Sequence, residues 1–248
     1  MNEFISIVSL IGAVVLGGLI VMWIDSYKQK SVIKILLAFS GGFLLAIAFN
    51  HFLPELYALH NHYIGLYVIA GFLIQLILEY FSGGIEHGHV HIHAGKPMPW
   101  MLFIALSVHS FIEGIPLAIP DEVMHTASHA HEHHTHLSSQ SLLLGIIFHQ
   151  TPVAIALMTL LRSSSFSLKK SWLILMLFAI MTPMGLAFGY FTQGMLGFLN
   201  MDILMAVVVG MFLHISTTII FEASENHRFN MAKLASILIG VLLALLIQ

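Results

Sequence analysis

The stretch Val108-His109-Ser110-Phe111-Ile112-Glu113-Gly114 lies in the middle of an apolar segment that runs from residue 99 to residue 120. On an α-helix, side chains four residues apart share one face, so His109 and Glu113 present an imidazole nitrogen and a carboxylate to the same point. Ionisable groups are costly at membrane depth and usually mark a substrate pathway. The stretch therefore predicts one half of a metal site inside a membrane.

The second half of the site is predicted on the next apolar segment, which carries His149-Gln150-Thr151-Pro152 near its centre. If the two helices run antiparallel, His149 faces the first pair. The chain has no cysteine and 17 histidines, so imidazole is the expected ligand and thiolate is excluded. The predicted metal ligands are His109, Glu113, His149, Gln150 and Ser110. A hydrogen-bonded structural pair between helices is the alternative interpretation of His109 and Glu113.

The composition places the chain in a membrane. Hydrophobic residues make up 58% and charged residues 8% of the sequence, whereas a soluble domain carries roughly 25% charged residues. Apolar runs of about 20 residues, each long enough to cross the hydrocarbon as a helix, recur along the chain. The sequence predicts an all-α, polytopic membrane protein in which residues 1–248 form one transporter domain.

Eight transmembrane helices are predicted. They span residues 3–23, 31–56, 63–81, 99–120, 140–161, 171–192, 202–221 and 231–247. The sixth is expected to bend at residues 182–185, because Pro183 removes a backbone hydrogen bond and crowds the preceding turn. The first lacks a basic start and a small-residue cleavage site, so we expect it to stay in the membrane.

The nine basic residues predict the topology. They are Lys28, Lys30, Lys34, Lys96, Arg162, Lys169, Lys170, Arg228 and Lys233. With eight helices, all of them lie on one side, which the positive-inside rule assigns to the cytoplasm. Both termini are then extracytoplasmic, and the protein is a multi-pass protein of the cell membrane. Because the basic residues are spread over four short loops, nucleic-acid binding is not expected.

Two histidine-rich loops flank the fourth helix. Residues 83–98 are predicted to be cytoplasmic and residues 121–139 extracytoplasmic. The candidate loop ligands are His87, His89, His91, His93, His129, His131, His133 and His134. Such tracts bind zinc, nickel or copper, so metal capture or sensing is favoured, although a solvated, disordered connector has the same composition.

Two weaker candidates lie on other helices. His51 and Glu55 have the four-residue spacing of a shared helix face but lie near a helix end. One interpretation is that they form an outer gate or a transient metal site. The other is that they are ordinary solvated residues at the mouth of the bundle. His214 and Glu222 on the seventh helix are more typical of packing and interface polarity than of metal ligands.

These motifs resemble those of the ZIP (Zrt-, Irt-like) metal transporters. The family's fourth helix commonly reads His-Asn-x-x-Glu-Gly, and here His109, Glu113 and Gly114 match while Ser110 replaces the asparagine. The fifth helix commonly reads His-Glu-x-Pro-His-Glu. On that helix His149 and Pro152 match, whereas the positions that differ are Gln150, Val153 and Ala154.

The resemblance extends to two further helices and predicts the number of ions. Residues 50–55 are similar to the family's His-x-x-Pro-Glu motif, and Pro183-x-Gly185 matches a Pro-x-Gly pattern that often follows a glutamate. Family members can hold two metal ions bridged by carboxylates. The positions that could supply the second ion are here Ser110, Val153 and Thr182, so a single-ion site is expected. The resemblance also implies alternating access, with the fourth and fifth helices in a moving bundle.

The predicted function is transport of a divalent metal ion toward the cytoplasm, with Zn²⁺ as the expected substrate rather than a cofactor. The ions Fe²⁺, Mn²⁺, Co²⁺, Ni²⁺ and Cd²⁺ fit the same ligands. The expected partners are metal ions and the lipid bilayer, with a homodimer left open. The protein is not expected to be an enzyme. A membrane-embedded zinc hydrolase and a metal-sensing membrane protein are the alternatives.

Overall fold

The apolar segments form α-helices in the computed structural model, which describes residues 3–24, 26–58, 62–82, 100–118, 139–164, 166–195, 201–222 and 231–247. Within these ranges the chain is helical and contains no strand, so the predicted all-α class is confirmed. Both histidine-rich loops, residues 83–98 and nearly all of 121–139, lie outside the described residues. Their predicted metal ligands stay predictions.

The helices are labelled in chain order. They are α1 (Glu3–Trp23), α2 (Ser26–Ile47, continued by Ala48–Phe52 and Leu53–Ala58), α3 (Ile64–Ser82), α4 (Trp100–Gly114, continued by the 3-10 turn Ile115–Ala118), α5 (Ser139–Ser163), α6a (Leu168–Ala179), α6b (Met181–Met195), α7 (Met201–Glu222) and α8 (Met231–Leu246). Seven spans in the described ranges are long and apolar enough to cross a membrane, with α6a and α6b counted as one. The multi-pass class is therefore confirmed. With 16 residues, α8 is just below the usual spanning length, so the count of eight stays a prediction.

Prolines modify two of the predicted helices. In α2, residues Ala48–Phe52 form a π-helical turn just before Pro54, and Leu53 donates its N–H to the carbonyl oxygen of Ala48. In the sixth segment the helix ends at Ala179 and restarts at Met181, slightly before the predicted bend at residues 182–185. The shift has a simple cause: Pro183 lacks the N–H that would bond to Ala179, so the break falls one turn before the proline.

Two apolar clusters lie at opposite ends of the bundle, with buried polar residues between them. Along α4 the chain passes from Leu106 in the first cluster, through the polar stretch, to Leu117 in the second. Along α5 the order is reversed, from Ile146 in the second cluster to Leu157 in the first. The fourth and fifth helices therefore run antiparallel, which is the condition under which His149 was expected to face His109 and Glu113. We call these clusters the first and second apolar layers.

Glycines set the closest helix contacts. A Cβ atom on Gly71 of α3 would collide with the carbonyl oxygen of Val207 on α7, and one on Gly185 of α6b would collide with that of Phe111 on α4. The helices that pack in this way fall into two groups. One group is α1, α4, α5 and α6, and the other is α2, α3, α7 and α8. The groups meet mainly where α2 contacts α5 and where α3 contacts α4.

We expect Gly240→Ala to destabilise the bundle, because the new Cβ would collide with the carbonyl oxygen of Phe39 and push α8 away from α2. Overpacking of this kind costs about 1–3 kcal/mol. Thermal unfolding in detergent should show a lower midpoint than for Gly12→Ala, since Gly12 has no atom within 4 Å of its added Cβ. Equal midpoints for the two variants would contradict the close α2–α8 packing.

Candidate metal site

The centre of the candidate site is the pair that the sequence placed on one face of α4. The Nε2 atom of His109 lies 3.0 Å from Oε1 of Glu113, and both side chains are buried. The carboxylate of Glu113 has no hydrogen bond to any other side chain within the described part of the chain. An imidazole nitrogen and a carboxylate oxygen that converge in a buried position have the arrangement that a shared cation requires.

The third member of the cluster comes from α5. The rings of His109 and His149 lie with their centroids 5.8 Å apart and nearly perpendicular. One ligand atom from each of His109, Glu113 and His149 lies within 4.8 Å of the other two, and all three residues are buried. Ligands of a tetrahedral zinc ion lie about 3.4 Å apart, given bonds of about 2.1 Å. Small side-chain rotations would therefore bring the three atoms to zinc-binding distances.

A residue that the sequence analysis did not single out supports this cluster. Gln75 of α3 is completely buried, and its Oε1 atom lies 2.8 Å from Nδ1 of His109. An amide oxygen only accepts hydrogen bonds, so Nδ1 carries the proton and Nε2 keeps its lone pair. A glutamine inside a largely apolar segment was the available signal, but its partner is 34 residues away.

The other predicted ligands are the residues that follow each histidine in the sequence, Gln150 on α5 and Ser110 on α4. The side-chain amide of Gln150 donates to Oγ1 of Thr182 on α6b, and both residues are buried. The Oε1 atom of Gln150 has no hydrogen-bond partner among the described residues. Ser110 is buried next to His109 on α4. Gln150 and Ser110 are thus buried beside the two histidines in sequence, and their role as ligands stays a prediction.

The candidate gate is separate from the cluster. His51 lies in the π-helical turn of α2 and is buried, and its Nε2 atom has no hydrogen-bond partner in the described ranges. Glu55 is partly exposed one turn later. Among the described residues, neither side chain joins the group of converging ligand atoms. Their gating role stays a prediction.

A second histidine and carboxylate pair joins α3 to α7. The Nε2 atom of His214 lies 3.4 Å from Oε2 of Glu79, and the ring of Phe72 packs edge-on against the imidazole at a centroid distance of 4.7 Å. His214 is buried, and Glu79 is about one-fifth exposed. This pair lies within one helix group, which agrees with the predicted role of His214 in packing.

Comparison with known proteins identifies the family. A family model described as ZIP Zinc transporter matches residues 82–248, which is more than half of the chain. The chain belongs to the ZIP zinc transporter family. In this ZIP family member, the matched region includes α4 and α5, which carry His109, Glu113 and His149. The match begins at the end of α3, so it does not include His51 or Gln75.

Two relatives of this ZIP family member illustrate the similarity. Zinc transporter SLC39A7 of Rattus norvegicus is 30% identical over 89 residues, which cover 28% of this chain and 19% of the rat protein. Zinc transporter ZIP1 of Danio rerio is 27% identical over 141 residues, which cover 54% of this chain and 42% of the zebrafish protein. The matched regions therefore span less than half the length of these relatives.

Proposed function

We propose that the protein transports a divalent metal ion, with Zn²⁺ as the favoured substrate, and that His109, Glu113 and His149 hold the ion midway across the membrane. The observation that carries the proposal is the convergence of two imidazoles and one carboxylate in a completely buried position. Two nitrogen ligands and one carboxylate suit zinc, which prefers such sets with four ligands in total. The names of the relatives support the same substrate.

The charge of this ligand set favours transport over permanent binding. Two neutral imidazoles and one carboxylate leave a bound divalent ion with a net charge of about +1 at membrane depth. A carboxylate-rich site would neutralise the ion more fully and hold it more tightly. The proposed site therefore releases its ion more readily than a structural zinc site, whose four protein ligands surround the metal.

The position of the site between two apolar layers argues for alternating access. The first layer closes the bundle on one side of the cluster, with Leu106 and Leu157, and the second closes it on the other side, with Leu117 and Ile146. A hydrated ion does not cross either layer while its side chains stay packed. We propose that one helix group moves against the other, so that the layers open in turn and the site faces each side alternately.

Residues near the cluster support a single ion per transport cycle. Val153 is buried in the first apolar layer, so it offers no ligand. Thr182 accepts the hydrogen bond from Gln150, which engages its hydroxyl oxygen. Of the three side chains at the second-ion positions, Val153 is therefore apolar and Thr182 is hydrogen-bonded, and none of the three is a carboxylate.

The proposed direction of transport is toward the cytoplasm. Lys170 and Lys233 lie in the first turns of α6a and α8, and Lys34 lies further into α2, next to Ile33 of the first apolar layer. These residues mark the end of the bundle that holds this layer. The positive-inside rule supports a cytoplasmic position for this end and extracytoplasmic termini. An inside-negative potential then favours uptake of a divalent ion by about 4.6 kcal/mol per 100 mV, twice the value for one charge.

We propose a transporter without catalytic activity. A zinc hydrolase needs a bound metal, an open position for water and a general base. Among the described residues, Glu113 is the carboxylate within the cluster, and a carboxylate that binds the metal does not also serve as the base. No feature of the described helices favours the alternative of a metal-sensing membrane protein.

The proposal is tested by measuring uptake of radioactive zinc into liposomes that contain the purified protein. We expect saturable uptake that increases when an inside-negative potential is imposed. Addition of Mn²⁺, Fe²⁺, Co²⁺, Ni²⁺ or Cd²⁺ should lower zinc uptake if that metal binds the same site. A second protein sample has the histidines of residues 83–98 and 121–139 replaced by glutamine, and we call it the loop-neutralised variant. It should keep its uptake, since the proposed pathway does not use the loops.

Protein-free liposomes provide the baseline for this experiment. Uptake no greater than this baseline, for zinc and for each competing metal, would contradict transport. Loss of uptake in the loop-neutralised variant alone would place the essential ligands in the loops rather than in the buried cluster.

A further inference from the structure

Gln75 has an unusual position for a polar side chain in α3. Most side chains of this helix are at least partly exposed, and few are buried. Gln75 is completely buried and directed toward the other helix group. Because a polar side chain in a membrane is costly to bury without partners, its contact with His109 accounts for its position.

The contact has a defined chemical effect on the histidine. The Oε1 atom of Gln75 accepts a hydrogen bond from Nδ1 of His109 over 2.8 Å, which leaves the Nε2 lone pair on the side of Glu113. Histidines that bind metals commonly donate their other ring N–H in this way, and the acceptor fixes the tautomer and the ring orientation. Gln75 thus prepares His109 to bind a cation together with Glu113.

The same hydrogen bond crosses the boundary between the two helix groups. Gln75 belongs to α3, which packs against α7 through Gly71 and Gly210. His109 belongs to α4, which packs against α6b through Gly114 and Gly185. A movement of one group against the other would preserve these backbone contacts and would separate Gln75 from His109.

We propose that Gln75 is a positioning residue that prepares His109 for the metal only while α4 lies against α3. The inference rests on the proposed function and goes beyond it, because it links the affinity for the ion to the relative position of the helix groups. When the groups move, His109 loses its acceptor, the orientation of its ring relaxes, and the ion is released.

The experiment compares Gln75→Leu, Gln75→Glu and the unmodified chain, all in the loop-neutralised variant. Zinc uptake into liposomes gives KM and the maximal rate per folded transporter, and titration gives Kd. We expect Gln75→Leu to raise KM and Kd by about 10- to 100-fold, the usual effect of losing such an acceptor. Its maximal rate should not fall, since release no longer requires the hydrogen bond to break. Gln75→Glu retains an acceptor oxygen and should bind zinc at least as tightly as the unmodified chain.

Glu79→Gln provides the matched control, because Glu79 lies one turn further along α3 and also contacts a histidine, but within its own helix group. This control should leave KM unchanged. An unchanged KM in Gln75→Leu, or equal losses of affinity in Gln75→Leu and Gln75→Glu, would overturn the proposal. If Gln75→Leu does not fold, weaker binding in Gln75→Glu than in the unmodified chain would also overturn it.

The outcome for the unmodified chain separates the two proposals. If that chain neither binds nor carries zinc, the proposed function itself fails. If it transports zinc and the Gln75 variants behave like the Glu79→Gln control, only the positioning role is lost.

Discussion

Replacing Glu113 with glutamine should abolish zinc uptake and weaken zinc binding by roughly 100-fold or more. The substitution preserves the size and shape of the side chain but leaves a divalent ion among neutral ligands. Removing one partner from a buried charge pair costs about 3 kcal/mol or more, and each 1.4 kcal/mol corresponds to about a tenfold change in affinity. Among the described residues, the other two members of the cluster are histidines, so neither can supply the negative charge that Glu113 loses.

The affinity of Glu113→Gln is measured by titration in the loop-neutralised variant, so that the loop histidines add no binding of their own. Uptake into liposomes and thermal unfolding are measured on the same preparation. Asp202→Asn is the matched control, because it makes the same change from carboxylate to amide at the start of α7. Affinity of Glu113→Gln equal to that of the control would show that Glu113 is a structural partner of His109 rather than a ligand.

The helices could be predicted because their main determinant is local. A run of about 20 apolar residues has one stable conformation in a bilayer, since a helix satisfies every backbone hydrogen bond within the segment. For α1 the predicted bounds, 3–23, agree with those of the structure. The start of α2 was predicted five residues late, because Ser26 and the polar residues after it form helix although they are not apolar.

The interruptions of the helices were only partly predictable. Pro183 predicted a bend, but its position depends on which carbonyl loses its donor, and that residue is Ala179, four positions earlier. The π-helical turn before Pro54 was not predicted at all. A π-helical turn has no sequence pattern of its own, and such turns are frequent at functional sites. This one carries His51.

The candidate site was predictable where its geometry is helical. The four-residue spacing of His109 and Glu113 fixes their proximity on any α-helix, and the structure places them 3.0 Å apart. The approach of His149 depended on the additional assumption that α4 and α5 run antiparallel. Gln75 could not be found in this way, because its contact with His109 joins two helices and depends on how they pack, which no residue spacing within one helix predicts.

The packing of the bundle suggests a second reason for valine at one of the second-ion positions. Val153 was expected to remove a ligand, and the structure shows that its side chain also completes the first apolar layer. A carboxylate at that position would therefore interrupt the layer. In the proposed mechanism, Val153 therefore has two effects: it offers no ligand for a second ion, and it packs in the apolar layer on one side of the site.

Lowering the pH from about 7.5 to about 5.5 should weaken zinc binding. Imidazole must be neutral to bind a metal, so protons compete with zinc for His109 and His149. The affinity for zinc should therefore decrease as the pH falls.

This dependence is measured as Kd for zinc at several pH values, again in the loop-neutralised variant. His149→Gln removes one of the two competing rings, so its Kd should depend less steeply on pH over the same range. His214→Gln is the matched control, since it removes a buried histidine outside the cluster and should retain the full dependence. A Kd that stays constant from about pH 7.5 to about pH 5.5 would contradict the assignment of both histidines as ligands. If Kd depends equally steeply on pH in His149→Gln and His214→Gln, His149 is not a ligand and the assignment of His109 still stands. Loss of a ring that binds the ion must also remove the competition of that ring with protons.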